Sequence, residues 1–182
     1  VTDTNEVPTA IALDNSSVSE DAASGTTVGA FSTTDADASD TFTYTLVSGE
    51  GDTDNAAFTI SGSELVTASS FDFETQSSYS IRVQTTDSGG ATFEQILTLS
   101  ITDSNDAPSS LAIDNATISE DVASGTVVGE LSTTDADAGD TFTYALVSGE
   151  GDTDNAAFSI DGSNLVTATT FDFDTQSSYS VR

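Results

Sequence analysis

"FEQILTLSI", residues 93–101, alternates its side chains with a period of two: Phe93, Leu97, Leu99 and Ile101 point one way. Gln95 is the one polar member of that stripe. The same period returns in "TFTYTLV", residues 41–47, which aligns Phe42, Tyr44 and Leu46, and in "SYSIRVQ", residues 78–84, which aligns Tyr79, Ile81 and Val83. Further short strands are expected at 11–13, 26–33, 57–60 and 63–66, separated by turns rich in Gly, Asp and Ser. Helical periodicity is absent. About seven short strands in some hundred residues predict an all-β, seven-stranded Greek-key sandwich of immunoglobulin-like architecture. Val28 and Phe31 differ in strand parity, which predicts a bulge there. The Tyr and Phe residues share phase with aliphatic neighbours and are assigned to the core.

Residues 1–82 align with 101–182 without a gap, and 58 of the 82 positions are identical. "LVSGEGDTDNAAF" occurs at Leu46 and again at Leu146, and "STTDADA" at Ser32 and Ser132. A unit near one hundred residues suits self-contained sandwiches placed end to end better than a solenoid coil. The division is set at 1–106, a first repeat with its linker, and 107–182, a second repeat. The latter stops at Arg182, inside the strand that continues in the first unit as "VQTTD", so it lacks its last strand and part of another. An open sheet edge predicts association or local disorder over 160–182.

The chain has 182 residues, 31 Asp plus Glu and two Arg, for a formal charge of -29 with no His. Nucleic acid and anionic membrane are excluded as partners on electrostatic grounds. The alternating apolar runs set the chain apart from a disordered acidic tail. Without Cys there is neither a disulfide framework nor a thiolate metal site. No apolar run approaches 18 residues and no signal-like start is present, as expected of a soluble segment of a longer protein, without direct membrane insertion.

Four acidic motifs recur: "SED" (Glu20, Asp21), "DAD" (Asp35, Asp37 and Asp135, Asp137), "FDFE" or "FDFD" (Asp72, Glu74 and Asp172, Asp174), and the linker elements "DTNEVP" and "DSNDAP". Singly, each reads as a solvated turn. Carboxylates two apart in an extended segment point the same way, so such pairs can offer two oxygens to one cation. Two carboxylates about 5 Å apart repel by about 3 kcal/mol at an effective dielectric near 20. A cluster of them exceeds ordinary domain stability unless cations intervene. Ca2+ suits an all-oxygen set, Mg2+ demands stricter geometry, and Zn2+ wants the His or Cys that are missing.

The ordered set "SED", "DAD", "FDFE" and "DSNDAP" around a β unit of this size resembles the calcium-binding cadherin-like repeats, and its wording is similar to the tandem copies in large bacterial surface and secreted adhesins of the RTX type. The resemblance implies up to three Ca2+ at the junction between consecutive repeats. It implies as ligands Glu20, Asp72 and Glu74 from the lower repeat. From the linker it implies Asp103, Asn105 and Asp106, with the carbonyls of Ser104 and Ala107. From the upper repeat it implies Asp135, Asp137 and Asp172. At the amino-terminal set (Asp3, Asn5, Glu6, Asp35, Asp37) and the carboxy-terminal set (Glu120, Asp172, Asp174), weak or absent calcium is expected.

"GDTDNAAF" at Gly51 resembles the opening of an EF-hand loop but lacks its Gly and Glu, and reads as a strand-connecting turn. Three functions are weighed. An extracellular calcium-rigidified spacer of an adhesin is favoured, with neighbouring repeats of the chain as its partners. A calcium-dependent module for polysaccharide or homophilic adhesion is the alternative, opposed by the absence of Trp and the core placement of Tyr. A glycosidase with paired carboxylates is set aside, because no substrate groove is evident and the motifs cluster as metal ligands do.

Overall fold

The structure, a computed structural model, describes residues 4–182. Its contacts divide it into two compact units, with the boundary between Ser104 and Asn105.

In the first unit, β1 (Ala10–Leu13), β3 (Thr27–Thr34), β6 (Glu64–Thr67) and β5 (Phe58–Ser61) form one sheet in the order β1-β3-β6-β5. The second sheet runs β2-β8-β7-β4, from β2 (Ser17–Ser19), β8 (Thr92–Thr102), β7 (Ser78–Thr86) and β4 (Thr43–Leu46). The inward stripes of the two sheets meet in one core, where Leu65, Ile81, Val83 and Leu99 are wholly buried. Phe58, Phe71 and Tyr79 close one end with edge-to-face contacts of 5.1 and 5.9 Å between Tyr79 and the two Phe rings.

The expected strands are all present, and β2 is an addition. It has only three residues and too little alternation to be read from sequence, yet it pairs in parallel with the end of β8, Ser17 opposite Ser100 and Ser19 opposite Thr102. The expected bulge lies in β3. Thr27 faces Val66 and Gly29 faces Leu65, so Val28 is the extra residue, and both Val28 and Phe31 reach the core. Asp14 and Asn15 fasten it. Asp14 Oδ1 accepts the Ala30 N–H at 2.7 Å, and Asn15 Nδ2 donates to the Val28 and Ser17 carbonyls at 2.6 and 2.8 Å. A Cβ on Gly29 would stand 2.5 Å from the Asn15 carbonyl oxygen, which explains the glycine.

Gln95 also finds its reason. It points inward with the rest of the β8 stripe, and its Oε1 accepts the Ile11 N–H at 3.0 Å, tying β8 across to the edge strand of the opposite sheet. The turn at Gly51 is structural, as expected. Asp54 accepts Ser80 N–H at 2.7 Å, Asn55 Oδ1 accepts Arg82 N–H at 2.9 Å, and a short 3-10 turn over Asn55–Ala57 follows.

In the second unit, β9 (Ser110–Ile113), β10 (Val127–Thr134), β11 (Phe158–Asp161) and β12 (Asn164–Thr167) form one sheet in the order β11-β12-β10-β9. It repeats the first sheet of the first unit, including the bulge, here between Val127 and Gly129. Residues 117–119, 143–146 and 178–182, which correspond to β2, β4 and the start of β7, are not strands, although Val147 N–H still reaches the Arg182 carbonyl at 2.7 Å. Among the described residues no helix is long and apolar enough to cross a membrane.

Candidate metal sites

Strand pairing fixes which acidic motifs share an end of a unit. Glu20 follows β2 and Asp103 follows β8; because these strands run parallel and in register, both residues emerge at the same edge. The loop carrying Asp72 and Glu74 enters β7 at Ser78, which pairs with Ser100 near the end of β8, and so arrives there too. Carboxylate oxygens of Glu20, Glu74 and Asp103 lie within 4.8 Å of one another.

Glu20 organises that end. Its Oε2 accepts Phe73 N–H and its Oε1 accepts Ser104 N–H, both at 2.7 Å, while the Ser104 hydroxyl donates to Asp21 at 2.5 Å. Asp72 lies in a turn beside this cluster. Residues 72–76 form a turn rather than an extended pair: Asp72 Oδ1 accepts Thr75 N–H at 2.8 Å and its carbonyl accepts Gln76 N–H at 2.9 Å. Glu74 joins the cluster, and Asp72 serves the turn beside it.

The opposite end of the first unit gathers Asp35, just past β3, Asp40, just before β4, and Asp87, just past β7. Thr43 pairs with Thr86, which explains why the last two meet. Their oxygens also lie within 4.8 Å of one another. Asp87 is 6% exposed. Its burial pushes its pKa up, but hydrogen bonds from Asn5 and from the backbone N–H groups of Ala91, Gly90 and Gly89 outweigh that, and the net shift is downward. Asp35 Oδ2 and Asp40 Oδ2 are buried with no hydrogen-bond partner. A buried anionic oxygen without a donor costs upwards of about 1–3 kcal/mol, so a cation is the chemistry this donor set fits.

The second unit gathers Asp135, Asp137 and Asp140, with Asp137 as the third carboxylate where the first unit has Asp87, and Asp135 Oδ2 is again buried without a partner. Asp106 N–H donates to Asp137 Oδ2 at 2.6 Å, and Glu6 N–H does the same to Asp37 at 2.8 Å. Each linker element therefore hooks onto the "DAD" loop of the repeat that follows it. Asn105 Nδ2 donates to the Asp106 carbonyl at 2.6 Å, and Ala107 is exposed. Asp3 lies outside the described residues.

Asp172 is not brought to Asp135 and Asp137. The end of β12 lies beside the start of β10, whereas Asp135 follows the end of β10, so the two are at opposite ends of the sheet. Asp172 accepts Asp174 N–H and the Thr175 hydroxyl, and its neighbour Phe173 donates N–H to Glu120 at 2.8 Å, as Phe73 does to Glu20. Asp40, Asp87 and Asp140 were not singled out from sequence. The signal for Asp40 and Asp140 was the third Asp of "DADASD" and "DADAGD"; Asp87 had none beyond its place at a strand end.

The two facing sheets of the first unit form a cadherin-like β-sandwich, and residues 14–102 match the Cadherin domain family. Solved structures similar to the chain include protocadherin gamma B7 extracellular cadherin domains 1–4, 26% identical with a TM-score of 0.59 over 93% of this chain and 44% of that one. Protocadherin gamma B2 extracellular cadherin domains 1–5 gives 26% and 0.59 over 96% and 35%. Human protocadherin-24 EC1-2 gives 21% and 0.70 over 93% and 81%, a likeness of fold. The chain thus spans less than half the length of the gamma B chains it resembles. No curated protein matches it.

Proposed function

We propose that the chain is a calcium-rigidified extracellular spacer of a bacterial surface or secreted adhesin, with Ca2+ at the junction of its repeats. The observation that carries this reading is the pair of three-carboxylate clusters that flank the linker in sequence, Glu20, Glu74, Asp103 and Asp135, Asp137, Asp140, the second of which holds the buried, unpartnered Asp135 Oδ2. Glu20, Glu74 and Asp103 would hold Ca2+ from the lower repeat, and Asp135, Asp137 and Asp140 from the upper, with Asn105 and Asp106 of the linker between them in sequence. Bound calcium supplies positive charge that offsets carboxylate repulsion and lowers the freedom of the linker. The similar protocadherin chains are extracellular cadherin domains by their descriptions, which supports the surface placement and an adhesive context.

Calorimetric titration of Ca2+ tests the ligand assignment. The Asp135→Asn chain is expected to lose one binding event or have it weakened about tenfold or more, because a charged ligand is replaced by a neutral one. Unchanged stoichiometry and affinity would defeat it.

A further inference from the structure

The inward face of β7 changes character along its length. Ile81, Val83 and Thr85 are wholly buried, and Asp87, next on the same face, is also buried. β3 follows the same order, with Phe31 in the core, then Thr33, then Asp35 just past the strand. A layer of hydroxyls thus separates the apolar core from the cluster of Asp35, Asp40 and Asp87. Thr33 Oγ1 stands 2.9 Å from the Tyr44 hydroxyl and 3.0 Å from Thr85 Oγ1. With one proton and two lone pairs it can donate to one of them and accept from the other. Tyr44 and Thr85 are direct partners in the pairing of β4 with β7, whereas Thr33 belongs to the opposite sheet, so the bridge crosses the core. Stacking on Phe31, at 5.0 Å between ring centroids, fixes the Tyr44 ring.

We infer that Thr33, Tyr44 and Thr85 are positioning residues for a calcium ion held by Asp35, Asp40 and Asp87, an inference that rests on the reading of that donor set as a cation site. Packing does not account for the hydroxyls. Valine has nearly the shape of threonine, and replacing every partner of a buried polar set by apolar groups of the same shape is close to neutral. What the hydroxyls add is place. Asp35 stands two residues beyond Thr33, Asp87 two beyond Thr85, and Asp40 four before Tyr44. Asp35 follows a strand of one sheet, while Asp40 and Asp87 flank strands of the other, so their mutual repulsion pushes the sheets apart at this end. A bridge one layer beneath resists that opening and keeps the oxygens gathered before a cation arrives. The second unit carries the same element. Thr133 Oγ1 donates to the Tyr144 hydroxyl at 3.1 Å, two residues before Asp135 and four after Asp140.

Amide NMR through a calcium titration of the 182-residue chain tests this, because residues 35–40 and 87–91 report the cluster separately from the other acidic groups. The Asp87→Asn chain identifies the shifts that belong to it. Thr85→Val is expected to weaken calcium there by about tenfold or more. Thr33→Val, which removes both contacts of the bridge, should weaken it at least as much, and Thr85→Ser, which keeps a hydroxyl, should bind close to the wild-type chain. Where valine at 85 disturbs the fold, Tyr44→Phe keeps the ring on Phe31 and removes only the hydroxyl, and it too should weaken binding. A second readout is the rise in melting temperature that calcium gives the first unit. That rise should shrink in the valine chains, whereas a merely structural role lowers the melting temperature equally with calcium and with chelator. Unchanged titration midpoints at 35–40 and 87–91 in the valine and phenylalanine chains would overturn the inference and leave the cation site standing. A Thr85→Ser chain as weak as Thr85→Val would also overturn it. No calcium-dependent shift at those residues in the wild-type chain would overturn both.

Discussion

At the residue scale, Asp87 shows how a ligand candidate escapes sequence reading. It stands alone in "TTDSGG", with no acidic neighbour, and becomes conspicuous only because β7 and β4 pair at their ends and bring it beside Asp40 and Asp35. Asp72 stands in an acidic motif that was plain in the sequence, and its Oδ1 accepts the Thr75 N–H of its own turn. Replacing Asp87 by Asn is expected to weaken calcium binding of the first unit by about tenfold or more, as the cluster loses one of three charges. Calorimetry on that variant checks it, and an unaltered isotherm would count against the cluster. Glu94 gives a pH dependence. Hydrogen bonds from Arg82, then Gln84, hold its carboxyl below the usual glutamate range. A folded pKa below the unfolded one means the stabilisation is fully present above the unfolded value, about 4.3, and is lost as pH falls through the folded one. The gap in melting temperature between the wild-type and Glu94→Gln chains should therefore be open at neutral pH and close on acidification. A gap that widens in acid would contradict it.

At the scale of elements, the inward stripes of β4, β7 and β8 were legible because a period of two leaves one choice of face once the apolar members are known. The bulge in β3 was legible too, since Val28 and Phe31 are both buried and no regular strand buries both. What was not legible is what a short or polar element does in partnership. β2 exists because the end of β8 offers it hydrogen bonds. Gln95 interrupts an apolar stripe in order to satisfy β1. Gln95→Leu adds apolar surface, yet it should destabilise the first unit by about 1–3 kcal/mol through the unsatisfied Ile11 N–H. Gly29→Ala should cost about 1–3 kcal/mol through overlap with the Asn15 carbonyl. Urea unfolding monitored in the first unit measures both, and a neutral or stabilising result for either would refute the role given to that residue.

At the scale of the whole molecule, the hundred-residue repeat was plain from self-comparison, and so was the kinship of the two linker elements. The end of the unit to which each motif belongs was not plain. "FDFE" and "FDFD" occupy equivalent places in their repeats, so the structure groups Asp172 with Glu120 as it groups Asp72 with Glu20. Only strand direction and register reveal that "DAD" gathers at the other end. Within the first unit the acidic clusters lie at opposite ends of the sheets, and in sequence the linker follows one cluster and precedes another, which supports the spacer proposal. Small-angle scattering of the chain, with saturating calcium and then with chelator, tests that proposal most directly. The account predicts a narrow, calcium-dependent pair-distance distribution that broadens, with greater flexibility, when calcium is removed. The same maximum dimension and the same flexibility in both states would contradict it.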